Sequence, residues 1–189
     1  MQMPSWEANG TIGCYTPGGE CQQGAVPVKA VKVAKKEQVV HAVSFAKQHN
    51  IKVVVKSTGH DYQGRSTAPG SLLIWMVDYN GVTFMDTFST GCPAASPTTA
   101  VRVLGGTVWD EVYELADAKG LAVVGGNALT VGAAGGYMQG GGHGVWSPSF
   151  GLAVDNVLEV EIVTADGTIR TASACENPEL FFALRGGGG

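Results

Sequence analysis

The sequence has few charged residues and no excess of positive ones. Asp, Glu, Lys and Arg make up 15% of the 189 residues, and twelve Lys and Arg stand against sixteen Asp and Glu, a formal net charge of −4. A protein that follows nucleic-acid phosphates carries a basic stripe, so this balance argues against a nucleic-acid partner. With 44% hydrophobic residues, the composition is typical of a globular chain rather than a disordered one.

Long hydrophobic runs are also missing. The longest clean one, residues 71–77, is far too short for a bilayer-spanning helix, so no membrane partner is expected. Residues 1–10 lack a positive start and an apolar stretch, and no signal peptide is expected in this chain. The last four residues, 186–189, are all glycine, which predicts that the chain is the N-terminal portion of a longer protein.

Only four cysteines are present, and none belongs to a C-x-x-C pair, so no metal site is expected. Cys14 and Cys21 bracket a turn-rich loop that a local disulfide could close, whereas the sequence assigns no partner to Cys92 or Cys175. An N-glycosylation triplet at Asn9 adds to the interpretation as a secreted protein. A cytosolic protein with four ordinary thiols is the alternative.

The hydrophobic pattern predicts mixed strands and helices without repeats. Strands are expected at residues 27–33, 51–56, 71–77, 100–104, 121–124, 156–164 and 168–171. Helices are expected at residues 36–50 and 108–119, and a last one begins at Pro178 with Asn177 as its N-cap. The dipeptide at 166–167, Asp-Gly, predicts a hairpin turn. The order of elements indicates an α+β or α/β fold.

Glycine is the residue in excess, at 28 of 189, and it is clustered. The first glycine loop, residues 56–66, follows an expected buried strand, so its backbone N–H groups could converge on an anion. Hydroxyls of Ser57, Thr58 and Ser66 and the charge of Arg65 would suit a pyrophosphate. The two common nucleotide fingerprints, G-x-x-x-x-G-K-[ST] and G-x-G-x-x-G, are absent, and an ordinary turn-rich connection is the alternative.

The second glycine segment, residues 125–144, holds nine glycines among its twenty residues. Ordering such a segment costs considerable chain entropy, so something must compensate. A flat, extended ligand approached closely by the backbone would do so. A flexible surface loop is the alternative, but apolar residues such as Leu129 and Tyr137 indicate burial.

Five blocks follow one another in an order that resembles one known family: residues 56–66, 103–109, 125–144, 151–161 and 177–189. Together they look like the FAD-binding PCMH-type domain of fungal berberine-bridge-enzyme-like FAD-linked oxidases, in the vanillyl-alcohol-oxidase superfamily. The resemblance implies a C-terminally truncated α+β domain of two subdomains, the first of βαβ type at 26–95 and the second, mixed α/β and incomplete, at 96–189. Residues 1–25 would be an extension, and the substrate domain would be absent.

The resemblance implies FAD extended between the two subdomains. His60 would be the covalent anchor, bonded to the 8α carbon of the isoalloxazine, and histidine offers an unprotonated ring nitrogen near neutral pH for that bond. Asp155, Asn156 and Val157 would lie near the adenosine end. The other cofactor-binding residues that the resemblance implies are Ser57, Thr58, Gly59, Asp61, Gly64, Arg65, Ser66, Gly126, Thr130, Val131, Gly135, Gly136, Gly140, Gly141, Gly142 and His143. The glycines among 135–142 would line the flavin where side chains would collide.

Two departures from the family pattern limit what is implied. Many relatives carry a cysteine that makes a second flavin link, and here that position falls on Ala128 or Leu129, so a single link through His60 is expected. The family's substrate-acting residues lie in a C-terminal region without counterpart here, so the catalytic base stays unknown.

The implied function is that of an FAD-dependent oxidase, or its FAD-binding portion. It would pass a hydride from a small substrate (a sugar, an alcohol or a secondary metabolite) to covalent flavin and then to oxygen, giving hydrogen peroxide. Two other functions remain open from the sequence. One is a catalytically inactive flavin-binding fragment; the other is a secreted, non-enzymatic domain stapled at Cys14–Cys21.

Overall fold

A computed structural model describes residues 24–93 and 95–188 of the chain. The predicted Cys14–Cys21 staple and the Asn9 triplet lie outside the described residues and stay predictions. Within the described part, no helix has the length and apolar character that a membrane crossing requires.

The chain begins with a parallel three-stranded sheet. Strand β1 (Lys29–Lys32) is followed by helix α1 (Lys36–Gln48) and strands β2 (Val53–Lys56) and β3 (Leu72–Trp75), in the spatial order β1-β3-β2. All four elements were predicted, because their apolar residues follow the strand and helix periods. The buried core of this unit is formed by Val33, Ala42 and Ile74, with the apolar stripe of α1 packed on the sheet.

An antiparallel hairpin follows, made of β4 (Val82–Phe88) and β5 (Thr98–Val103). Strand β4 was not predicted, because Thr83, Asp86 and Thr87 are exposed polar residues that break up its apolar pattern. The predicted subdomain boundary between residues 95 and 96 falls in the connection of this hairpin, and the division of the chain at that point stays a prediction.

Helix α2 (Trp109–Asp117) packs against the second glycine segment. Trp109 and Val112 form a buried cluster with Ala133 of that segment. The strand predicted at 121–124 is wrong: the stretch pairs with no strand of the described chain, and the Leu121 N–H donates to the Ala116 carbonyl at the end of α2. Its apolar residues indicated burial, and Val123 does pack on the cluster.

The remaining elements surround the second glycine segment and close the described chain. Two four-residue helices, α3 (Gly136–Gln139) and α4 (Ser147–Phe150), precede a 3-10 turn at Ala153–Asn156. Strands β6 (Glu159–Val163) and β7 (Ile169–Ser173) then form an antiparallel hairpin, and helix α5 is Pro178–Leu184.

The predicted turn between β6 and β7 is confirmed. Gly167 has φ +85°, and its N–H donates to the Thr164 carbonyl at 2.8 Å. Two details differ from the prediction. Strand β6 begins at Glu159 rather than at 156, because the 3-10 turn occupies the residues before it. Asn177 precedes α5 as expected, but its side-chain amide donates to the Thr171 carbonyl at 2.7 Å instead of capping the helix.

A disulfide joins two regions that are far apart in sequence. Cys92, in the connection after β4, is bonded to Cys175, in the turn after β7, at a sequence separation of 83 and a Cα–Cα distance of 5.6 Å. The sequence left both cysteines without a partner. The bond ties the β4–β5 hairpin to the β6–β7 hairpin and α5.

Replacing Gly106 by alanine is expected to destabilise the fold by about 3 kcal/mol. Gly106 is buried after β5, and an added Cβ would overlap the Met76 carbonyl oxygen, a backbone atom that cannot move aside cheaply. Its neighbour Gly105 is the matched control, because a Cβ there would meet the flexible end of the Met76 side chain at 3.1 Å and the Tyr79 ring at 3.9 Å, and no backbone atom within 4 Å in the described chain. Urea unfolding of the two variants measures the difference, and equal losses would contradict this account.

Candidate functional site

The first glycine loop and the second glycine segment lie against each other. The Gly132 N–H donates to the Thr58 hydroxyl at 3.1 Å, and the His60 Nε2 lies 2.9 Å from the Thr130 Oγ1. Each contact joins residues at least 70 positions apart in the chain. The structure thus brings together the two segments that the sequence analysis singled out separately.

The first glycine loop leaves the carboxyl end of β2, where the parallel sheet ends. Its Ser57 hydroxyl donates to the Gly105 carbonyl at 2.8 Å, which fixes the start of the loop. Gly59 follows with φ +83°, a left-handed conformation that favours glycine. Among the residues that the structure describes, none accepts a hydrogen bond from the backbone N–H groups of Thr58, Gly59 or His60. Consecutive unpaired N–H groups of this kind can bind an anion.

Arg65 forms an ion pair with Asp61 inside the first glycine loop. Its guanidinium donates to the Asp61 carboxylate at 2.6 Å, and its backbone N–H donates to the same group. The Asp61 side chain is only 12% exposed. The hydrogen bonds from Arg65 hold the pKa of Asp61 below its ordinary value. The ion pair therefore closes the loop, and the Arg65 charge is balanced rather than free to meet a phosphate.

Acid is expected to loosen the first glycine loop through Asp61. Its pKa is lower in the folded protein than in the unfolded chain, so its contribution to stability is present above the ordinary value of 3.8 and is lost as pH falls below it. The stability gap between the wild type and an Asp61→Asn variant should therefore be widest near neutral pH and narrow in acid. Urea unfolding at a series of pH values measures it, and a gap independent of pH would refute the role of the carboxylate.

Two tyrosines hold the backbone of the second glycine segment. The sequence analysis named Tyr137 only as a sign of burial and did not identify Tyr113. The Tyr113 hydroxyl donates to the Gly126 carbonyl at 2.7 Å, and the Tyr137 hydroxyl donates to the His143 carbonyl at 2.9 Å. Burial raises the pKa of Tyr113 to about 12 and also raises the pKa of Tyr137. Both phenols therefore stay protonated and act as donors that hold the backbone. The i, i+4 spacing of Trp109 and Tyr113 on α2 was the available signal.

The glycines of the second segment fall into two groups. A Cβ on Gly126 or Gly142 would lie 2.9 or 2.6 Å from the Tyr137 ring, so the protein's own packing explains why those positions are glycine. Contact with Tyr137 is by itself enough to require glycine at position 142, without the collision with flavin that the resemblance implies. Gly135, at φ +77°, has no atom within 4 Å of an added Cβ, and Gly141 meets its nearest side-chain atom only at 3.7 Å. Gly135 therefore faces open space, whereas a Cβ on Gly141 would make an ordinary van der Waals contact with Leu152.

The residues expected near the adenosine end lie beside the second glycine segment. The Ala153 N–H donates to the Gly142 carbonyl at 2.8 Å, which attaches the 3-10 turn to the segment. Within the turn, Asp155 accepts from the Leu152 N–H at 2.8 Å and Asn156 donates to the Leu152 carbonyl at 2.9 Å. Both side chains therefore shape the turn. The other expected site residues lie on the two glycine-rich segments or after the turn: Ser66, Val131, Gly136, Gly140, His143 and Val157.

In the part of the chain that the structure describes, no three His, Cys, Asp or Glu residues are grouped so as to hold a metal ion. One buried polar atom has no hydrogen-bond partner there, the Trp109 Nε1. The Trp109 ring stacks on Tyr113 and meets Tyr137 edge-on at 5.2 Å, so the indole belongs to the aromatic support of the second glycine segment.

The family model described as an FAD binding domain matches residues 27–173. The chain belongs to this FAD-binding family. It is 46% identical over 172 residues to the FAD-linked oxidoreductase malF of Malbranchea aurantiaca, covering 89% of this chain and 29% of that protein. The predicted family and the α+β class are therefore confirmed. This FAD-binding chain spans well under half the length of the curated relatives it matches, 29% of malF and 39% of the FAD-linked oxidoreductase phmC of Phaeosphaeria nodorum.

Solved structures extend the same result. The VAO-type flavoprotein MtVAO615 of Myceliophthora thermophila C1 matches with a TM-score of 0.85 at 42% identity, over 90% of this chain and 31% of that one. Berberine bridge enzyme matches at 0.71 and 27% identity, over 85% and 30% of the two chains. Glucooligosaccharide oxidase of Acremonium strictum, which carries a 6-S-cysteinyl, 8α-N1-histidyl FAD, matches at 0.74 and 28% identity, over 88% and 33%.

Proposed function

We propose that this chain is the FAD-binding portion of an FAD-dependent oxidase, with the cofactor held along the joined glycine segments. The observation that carries this proposal is the contact between the segments, in which His60 of the first loop meets Thr130 of the second. A dinucleotide needs an anion site for its pyrophosphate and a side-chain-poor surface for its flat ring, and the two segments supply one each.

The described residues fit such a cofactor in two respects. The unpaired N–H groups at Thr58, Gly59 and His60 form a site for the pyrophosphate that needs no free cation, which agrees with the pairing of Arg65 to Asp61. Gly135, with open space around its Cα, would let the flat isoalloxazine approach the backbone.

Covalent attachment through His60 is part of the proposal. The His60 side chain is exposed, so its ring is available to a ligand, and the related glucooligosaccharide oxidase carries a histidyl FAD. Ala128 and Leu129 offer no nucleophile at the position of the second link, so one bond is expected. When bound, FAD would supply a two-electron acceptor that takes a hydride from the substrate and is reoxidised by oxygen. The chain's own residues would bind the pyrophosphate and orient the ring.

The substrate proposed is a small molecule such as a sugar, an alcohol or a secondary metabolite, with hydrogen peroxide as the second product. The test is the flavin spectrum of the purified protein, followed by peroxide release with each substrate class. The absence of any flavin band would overturn FAD binding. A flavin-loaded protein that forms no peroxide with any class would instead support the second candidate, an inactive flavin-binding fragment.

The Cys92–Cys175 disulfide also supports the proposal of an oxidising compartment, such as the secretory route, because structural disulfides are rare in a reducing cytosol. Thiol titration of the protein isolated from its native source tests this, and two reactive thiols at these positions would argue against it.

A further inference from the structure

We propose that Thr130 is the positioning residue for flavin attachment: its hydroxyl holds the His60 imidazole by the Nε2 and leaves the Nδ1 free to bond. The inference rests on the proposed function, because it requires that FAD becomes attached to this histidine. The observation that supports the role of Thr130 is the 2.9 Å contact between the His60 Nε2 and the Thr130 Oγ1.

The His60 ring needs an external partner to be oriented. It is exposed and follows Gly59, whose φ of +83° turns the chain sharply. Of all described residues, Thr130 is the one whose side chain hydrogen-bonds to the ring. Without that hydroxyl, the ring would be free to rotate about its side-chain bonds.

Thr130 is itself held on both sides by the start of α2. The Trp109 N–H donates to the Val131 carbonyl at 3.1 Å, and the Asp110 N–H donates to the Leu129 carbonyl at 3.0 Å. These are N–H groups of the first helical turn, which have no partner within the helix. The helix thus fixes the backbone around Thr130. The Thr130 hydroxyl, held in place in this way, orients the His60 ring.

The contact also assigns different roles to the two ring nitrogens. When the Nε2–H of a neutral imidazole donates to the Thr130 oxygen, the Nδ1 carries the free lone pair. The His60 Nδ1 then bonds to the 8α carbon of the flavin while one C–H bond of that methyl group breaks. Two electrons pass to the isoalloxazine, and molecular oxygen takes them up with the two protons released, one from carbon and one from the imidazole. Overall, one FAD, one histidine and one oxygen give one histidyl flavin and one hydrogen peroxide.

Rates of covalent attachment test the inference in the full chain, produced in a riboflavin-starved host so that it carries no flavin, and then mixed with FAD. Acid precipitation at successive times measures the flavin retained on the polypeptide. Thr130→Val, which keeps the shape and removes the hydroxyl, is expected to slow attachment about tenfold, as the loss of one hydrogen bond in the transition state would. Thr130→Ser should restore a rate close to that of the wild type. Thr99→Val is the matched control, because its hydroxyl donates to the Asp86 carbonyl within the β4–β5 hairpin and belongs to neither glycine segment.

The position of the bond gives a readout that general loosening of the fold would not change. Histidyl flavin released by proteolysis is compared by NMR with the Nδ1- and Nε2-linked isomers, and the Nδ1 isomer is expected from the wild type. An Nε2 link would overturn the inference, and so would an unchanged rate in Thr130→Val while His60→Ala carries no covalent flavin. In both cases the proposed function would survive. A wild type with FAD bound but never attached would overturn the positioning role and the covalent link together, with FAD binding intact.

Discussion

Replacing His60 by alanine is expected to abolish covalent flavin while leaving some FAD bound. The imidazole is the one nucleophile proposed for attachment, because Ala128 and Leu129 stand where relatives have a second one. The N–H groups around Gly59 belong to the backbone and survive the substitution, so the pyrophosphate should still bind. Denaturation in acid followed by gel filtration measures the result: yellow colour stays with the wild-type polypeptide and leaves the variant entirely.

The matched control for this experiment is His41→Ala, an exposed histidine on α1 in the first unit of the fold. It removes the same side chain without touching either glycine segment, so attachment should equal that of the wild type. Flavin that stays bonded to the His60→Ala polypeptide would place the link on another residue. The assignment of the anchor would then be wrong, although FAD binding would stand.

Replacing Cys92 by serine is expected to lower the free energy of unfolding by about 4.5 kcal/mol. The reason is that the bond closes a loop spanning 83 positions and so reduces the entropy of the unfolded chain. The sequence separation between Cys92 and Cys175 is 83, and the loop includes the whole second glycine segment. A loss of this size is a large part of the usual stability of a domain. Urea unfolding under oxidising conditions gives the measurement.

Two comparisons make the disulfide prediction specific. Cys175→Ser should cost as much as Cys92→Ser, and the double variant should lose no more than either single one, because all three remove the same bond. The wild type in reductant should approach the variants. A loss below about 1 kcal/mol, or two losses that add, would show that the bond does not constrain the unfolded chain as proposed.

Local signals explain which elements were predictable. The β-branched residues of β2 and the apolar stripe of α1 follow fixed periods, and Asp-Gly at 166–167 forms its turn from two adjacent residues. The prediction was wrong where the local pattern of apolar and polar residues did not match the structure that forms. The apolar stretch at 121–124 looks like a strand but has no pairing partner in the described chain, and β4 is a strand although its polar residues hide the alternation.

The candidate site likewise has features that the sequence predicted and features that it did not. Glycine clustering indicated the two segments, and the resemblance carried by five ordered motifs implied the role of His60. The ion pair of Asp61 and Arg65 lies within one loop, yet the sequence left the Arg65 charge free. The spacing of residues along the chain did not predict that Tyr137 packs against Gly126, because this contact depends on how the segment folds back on itself.

The sequence by itself determined the two glycine-rich segments and the mixture of strands and helices, because these depend on residue types and on short-range periodicity. The family followed from the resemblance that five ordered motifs carry. Only the tertiary structure decided that Thr130 meets His60, that Cys92 pairs with Cys175 and that aromatic side chains support the second glycine segment. The physical reason is distance along the chain. Contacts across 70 or 83 positions arise from the packing of whole elements, and no local preference of the residues involved encodes them.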